Sequence, residues 1–212
     1  MMAVGYYMNM EKLSLGIAEK HKDNMTDNNY DNNNFISEEF FINNIENGFV
    51  VITQLNCYIE SFLNTIMNGC MNYSGEKLLK CSVEEKIEMI FMYYQKNCSE
   101  VKSRHSWEIY RNTTKVRNEM VHYKKTFIND GMGIPNFKLG NQDVAVFFTK
   151  SNITNLIKGY QELSSDIAKA LGLCIFEPNR RPAAIACRSS RLFERLPLAK
   201  VVFFVYAHLA SV

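Results

Sequence analysis

Metal-site spacing is missing from this chain. Its six cysteines, at 57, 70, 81, 98, 174 and 187, never form a Cys-x-x-Cys pair, and no His-x-x-x-His or Cys/His cluster accompanies them. That argues against a zinc site. The cysteines fall on apolar helix positions and loop edges, so buried free thiols in a reducing setting are expected. Also missing is any run of about 20 apolar residues, the length needed to span a bilayer. The opening MMAVGYYMNMEK has neither a basic stretch nor a long apolar core, so it does not read as a secretory signal. An excess of one charge is missing: 24 Lys and Arg face 22 Asp and Glu for a formal net charge of +2, too small to indicate a partner. No aromatic base-reading motif is visible either, so no RNA sequence preference is legible. A soluble, cytoplasmic protein without membrane contact or bound cofactor is the expectation.

What is present is enough apolar material for one domain: 47% hydrophobic and 12% aromatic residues in a chain of 212. A short helix is expected from about Asn9 to Lys20. DNMTDNNYDNNN at 23–34 follows, nearly all Asn and Asp, which favour turns because their side chains bond their own backbone. Residues 1–36 therefore read as an N-terminal extension and linker. Ser37, Glu38 and Glu39 open a long helix reaching about Met71. Ile45, Ile52, Ile59 and Ile66 recur along it, with Phe41, Leu55 and Phe62 on the alternate turns. That helix carries four acids (Glu38, Glu39, Glu46, Glu60) and no Lys or Arg. So little charge leaves little face for water and suggests a second protein surface against it.

Ser82-Val83-Glu84-Glu85 is a capping box opening a second helix to about Lys96, with Ile87, Ile90, Phe91 and Tyr94 inward. A third runs from about Ser106 to His122, with Trp107, Tyr110, Thr114, Arg117 and Val121 sharing a face. After breakers at Asn129-Asp130-Gly131, Gly133, Pro135 and Gly140, Asp143–Thr149 reads as a short strand or extended cover, paired with 136–139. Ser151 caps a fourth helix that Gly172 closes. The fold class expected is all-α, an antiparallel four-helix bundle over 37–172 with a short extended segment before its last helix. Residues 173–212 form an atypical tail. From Arg180 onward there are five arginines, one lysine and no asparagine, although 23 asparagines precede. This reads as foreign sequence from a readthrough, a frame change or a fusion. The other reading is a basic linker ending in an apolar strand, VVFFVY, that would aggregate unless docked.

The most informative stretch is Arg117-Asn118-Glu119-Met120-Val121-His122-Tyr123-Lys124. From Lys102 to Lys125 there are seven Lys/Arg against two acids. A forked cation, a side chain titrating near neutral pH and a positive surrounding suit phosphate chemistry. The plainer reading is a helix end enriched in cations that complement its dipole.

With a long first helix, a capped second and an Arg-Asn-x-x-x-His ending the third, the chain resembles the HEPN family (higher eukaryotes and prokaryotes nucleotide-binding). Arg117, Asn118 and His122 supply the family's arginine, polar residue and histidine, with Val121, Tyr123 and Lys124 as typical company. Tyr58–Asn64, with Glu60 and Asn64, resembles the E-x-x-x-N segment of the family's first long helix, and Val83–Ile87 the opening of its second. The resemblance covers residues 37–172. It implies metal-independent RNA cleavage, in a toxin–antitoxin or antiviral setting, by a homodimer whose two motifs face each other, with a possible antitoxin protein as partner. It equally admits members without catalysis that bind a nucleotide or a protein.

On an ideal helix Arg117 and His122 lie about 140° apart, whereas Asn118 and His122 share a face. Two copies around one phosphate would resolve that offset. The division of labour then has His122 moving a proton during attack of a 2′-OH, Arg117 holding the phosphate, and Asn118 orienting His122 or the ribose. Glu60 and Tyr123 would support the site, and Arg111, Lys115, Lys124 and Lys125 would guide RNA. Innocent readings stand beside these. Arg117 would cross-link to Glu60, His122 would be a helix-end histidine, and the lysines and Arg111 a solvated face.

Overall fold

The fold is described from a computed structural model, over residues 2–28, 37–71, 80–121, 138–139 and 142–173. Seven helices and one minimal ladder occur among these residues: α1 (Met2–Asp23), α2 (Glu38–Met71), α3 (Val83–Tyr93), α4 (Ser99–Lys102), α5 (His105–Val121), β1 (Lys138–Leu139), β2 (Gln142–Asp143), α6 (Val144–Phe147) and α7 (Lys150–Leu171). Among the described residues the chain is all-α apart from the antiparallel pairing of Lys138 with Asp143 and Leu139 with Gln142. The tail from 174 onward and the segments 29–36 and 72–79 lie outside the described residues.

α2 is the central helix. α1 runs along it, and α3, α5 and α7 also pack on it. The expected isoleucine repeat is its core seam: Ile52 and Ile59 are fully buried with Leu55 and Leu63, and Ile45 and Phe62 pack against the cluster. The shortage of charge on α2 now has a cause. Its polar side chains are spent inside the molecule: Thr53, Asn56 and Thr65 donate to their own helix one turn back. Asn47 meets His21, and Tyr58 meets the Ser164 hydroxyl of α7 at 2.8 Å. The surface against the charge-poor helix is therefore this chain's own α1, which also runs longer than the expected Asn9–Lys20. The sequence division at residue 36 marks a connection rather than an end to packing, since Ala18 and Met25 belong to the same core as α2.

Asn44 is a central tie of the Asn-rich turn after α1. Asn44, fully buried on α2, accepts from the Thr26 amide at 2.9 Å and donates to the Thr26 carbonyl at 3.0 Å. The same carbonyl takes the Lys150 amide at 3.0 Å, and Asp27 accepts from the Ser151 amide at 2.6 Å. One carboxamide thus ties α1, α2 and α7 together. Asn44→Leu keeps the volume but strands the Thr26 amide, the Thr26 carbonyl keeping the Lys150 amide, and is expected to cost about 2 kcal/mol, read as a lower urea midpoint at unchanged slope.

Two helix boundaries follow the expected chemistry and two do not. Ser82 accepts from the Glu85 amide while Glu85 accepts from the Ser82 amide, so the capping box is complete. Gly172, at φ 74°, closes α7: its own amide bonds Lys169 and the next amide bonds Ala168. α7, however, is capped by Thr149 rather than Ser151, whose amide is already used by Asp27. The stretch Asp143–Thr149 is also not a strand beyond Asp143. Ala145, Phe147 and Phe148 are all buried with Val146 exposed; two adjacent inward phenylalanines suit a helical turn, whereas a strand would send them to opposite faces.

α1 carries one titrating group with consequences for stability. Burial pushes the Glu11 carboxyl from 4.5 up to about 7, with Lys12 opposing. Because the folded state binds this proton more tightly than the unfolded one, the contribution is whole below about pH 4.5 and is lost as pH rises through 7. Each tenfold in proton affinity is about 1.4 kcal/mol, which sets a ceiling of about 3.5 kcal/mol; partial exposure cuts the expected loss to about 1–2 kcal/mol. Glu11→Gln should remove this part of the stability decline between pH 5 and 8, measured by urea unfolding at both ends.

Candidate functional site

α5 positions the candidate residues. Its start is fixed by Asp166 of α7, which accepts from the Ser106 hydroxyl at 2.8 Å and from Arg104 at 2.5 Å. Its middle rests on α7 at close approach: a Cβ at Gly159 would lie 2.8 Å from Ile109 Cγ2 and 3.2 Å from Ile109 Cβ, so only glycine permits the contact. Toward α2, the Thr114 hydroxyl donates to Asn56 Oδ1 at 3.3 Å. Ser106, Trp107, Tyr110, Thr113 and Val116 are the buried positions of α5. The face expected from Trp107 to Val121 starts in the core but climbs out of it: Thr114 and Arg117 are half-buried and Val121 is exposed.

Arg117 and Asn118 sit in the last turns of α5, side by side. The Arg117 guanidinium donates to Asn118 Oδ1 at 3.2 Å, and among the described residues it makes no ion pair with a carboxylate. Its charge is directed at the α2–α5 seam. The Cys57 thiol there is pushed up by burial and by Glu60, with Arg117 opposing. The Tyr110 hydroxyl is likewise raised, chiefly by burial, and feels Glu84, Glu60 and Arg117. Behind it Tyr160 is fully buried, its hydroxyl without a hydrogen-bond partner among the described residues. α5 is described as far as Val121, and His122, Tyr123, Lys124 and Lys125 lie outside the described residues.

Glu60 is engaged elsewhere. Its Oε1 lies 2.6 Å from the Nζ of Lys86 on α3, so the cross-link from Arg117 to Glu60 that the sequence allows is not made. Lys86 is the residue that sequence reasoning passed over. It reads as a surface cation in the first turn after the capping box, flanked by Glu84 and Glu85. The signal available was its spacing, four residues before the inward Ile90 and thus on the same face. Cys57, expected as a buried thiol, is an exposed position on α2.

Arg111, Lys115 and Asn118 line the other side of α5, where an open groove of about 1110 Å³ runs between this helix, Glu84 of α3 and the α4 end. Trp107, Tyr110 and Thr114 also line it. Its charges are mixed, yet they are not equally available. Lys102 is held by Glu84 and Glu88, and Arg104 by Glu100 and Asp166. Arg111 and Lys115 are exposed and form no ion pair among the described residues. The helix thus divides the candidates, with Asn118 on the groove and Arg117 bridging from it to the seam.

Among the described residues no three His, Cys, Asp or Glu side chains come together as a metal-holding set, and no helix is long and apolar enough to cross a membrane. No family model, curated protein or solved structure matches the chain.

Proposed function

We propose that the chain is a HEPN-type endoribonuclease that cleaves RNA without a metal, by attack of a 2′-OH on the adjacent phosphate. In this reading α2, α3, α5 and α7 correspond in order to the four helices of the antiparallel HEPN bundle, and α1 is an added helix on α2. The observation that carries it is the Arg117–Asn118 pair: a guanidinium steered by a neighbouring amide, free of carboxylates among the described residues, at the end of a helix whose Arg111 and Lys115 are also unengaged. Asn118 Oδ1 accepts from Arg117, so Asn118 orients the phosphate holder, and its Nδ2 remains to donate to ribose or phosphate.

In the reaction His122 accepts the 2′-OH proton as the 2′-oxygen bonds to phosphorus. The bond to the 5′-oxygen breaks, and a second histidine of a homodimer protonates the leaving oxygen. Arg117 carries the added negative charge of the transition state through its fork. Tyr123 supports the site, Glu60 being held on Lys86, while Arg111, Lys115, Lys124 and Lys125 guide the RNA backbone. The setting proposed is cytoplasmic, in toxin–antitoxin or antiviral defence, with an antitoxin protein as partner. The reading of the chain as a non-catalytic module binding a nucleotide or a protein loses its main motive, because the charge-poor face of α2 meets α1. Incubation of purified protein with labelled RNA in EDTA decides between the two. Cleavage that disappears in Arg117→Ala and His122→Ala is expected; equal product from wild type and both variants would sink the nuclease.

A further inference from the structure

Among the described residues Lys86 is the only buried charged side chain: none of it is exposed, and its Nζ sits 2.6 Å from Glu60 Oε1. An ammonium at that depth needs a carboxylate. The dependence is one-sided, because the Glu60 side chain is 45% exposed and water alone would hold it. Across the seam stands Arg117, one turn from Thr114, whose hydroxyl bonds Asn56 one turn from Glu60, and the Cys57 thiol and the Tyr110 hydroxyl feel both charges. Cys57 and Glu60 are neighbours at i,i+3 on α2, and the Asn56–Thr114 bond pins that stretch of α2 to α5. A guanidinium and a half-exposed carboxylate so placed ordinarily pair. Here they do not: the carboxylate is on Lys86 and the guanidinium is on Asn118.

We propose that Lys86 is a positioning residue for the Arg117 site, holding the Glu60 carboxylate away from the guanidinium and so keeping Arg117 open to an anion. Its use in catalysis rests on the reading of Arg117 as the phosphate holder. The placement itself does not. Without Lys86, the Glu60 carboxylate is released to turn toward Arg117, and the site closes on itself. Lys86 thus acts without touching the substrate.

The test needs no RNA, so its failure is separate from failure of the nuclease, which the EDTA assay reads. The full chain is treated with an arginine-selective dicarbonyl reagent, and modification is followed at Arg117 by peptide mass mapping, with exposed Arg111 on the same helix as internal reference. In Lys86→Met, Arg117 should react at least about threefold more slowly, the protection a partly exposed ion pair provides, while Arg111 is unchanged. In Lys86→Met/Glu60→Gln the rate at Arg117 should return to the wild-type value, a recovery that a merely structural role for Lys86 would not produce. An unchanged Arg117 rate in Lys86→Met, or protection that persists in the double variant, overturns the proposal. Should Lys86→Met not fold, Lys86→Gln carries the same comparison. Glu60→Ala alone adds a further check: Arg117 should react as in the wild type, and a faster rate would mean that Glu60 already shields it.

Discussion

Alanine at Arg117 is expected to slow RNA cleavage by about 100- to 1,000-fold, the loss typical when one preorganised donor to a developing oxyanion is removed. The effect should fall on kcat, because the guanidinium fork meets more charge in the transition state than in bound RNA. Arg117→Lys should recover little, since a point charge cannot reproduce the fork that Asn118 orients. His122→Ala should lose as much. Arg111→Ala and Lys115→Ala are different in kind: both residues are exposed along the groove, so their loss should raise KM and flatten its salt dependence with kcat nearly kept. Single-turnover rates in EDTA at two salt concentrations separate the two classes. A pattern in which Lys115→Ala lowers kcat as much as Arg117→Ala would contradict this division.

The elements of this fold were legible wherever a local rule decided them. The isoleucine beat of α2, the Ser82–Glu85 box and the Gly172 stop are each fixed by residues a few positions apart, and each appears as read. What the sequence concealed depends on distant partners. The charge-poor face of α2 reads as a surface awaiting another protein, and the packing of α1, with α3, α5 and α7, explains it. Asn44 reads as one asparagine among 23, yet it bridges three helices because Thr26 and Lys150 arrive at the same point. At the site, Arg117 and Asn118 were legible as neighbours in a motif. The identity of Glu60's partner was not, because a lysine after a capping box looks solvated until α2 covers it.

That hidden lysine makes the stability of the Glu60–Lys86 pair strongly asymmetric. Glu60→Gln leaves an ammonium fully buried beside a neutral amide, and should cost about 3 kcal/mol, the penalty for stripping one partner from a buried pair. Lys86→Met removes the buried charge, keeps most of the packed hydrocarbon, and leaves the half-exposed Glu60 to pair with Arg117 at the rim. Its effect should stay within about 1 kcal/mol of zero, on either side. The double variant should resemble Lys86→Met, so the second substitution costs almost nothing once the first is made. Urea unfolding at constant slope reads all three, and the resulting coupling of about 2–3 kcal/mol is the energy of an uncompensated charge rather than the worth of the bond. If Lys86→Met proved as damaging as Glu60→Gln, the pair would be holding α3 to α2 by its attraction. The small effect expected instead leaves the pair's purpose to be sought at Arg117, where an otherwise dispensable lysine decides what the neighbouring carboxylate touches.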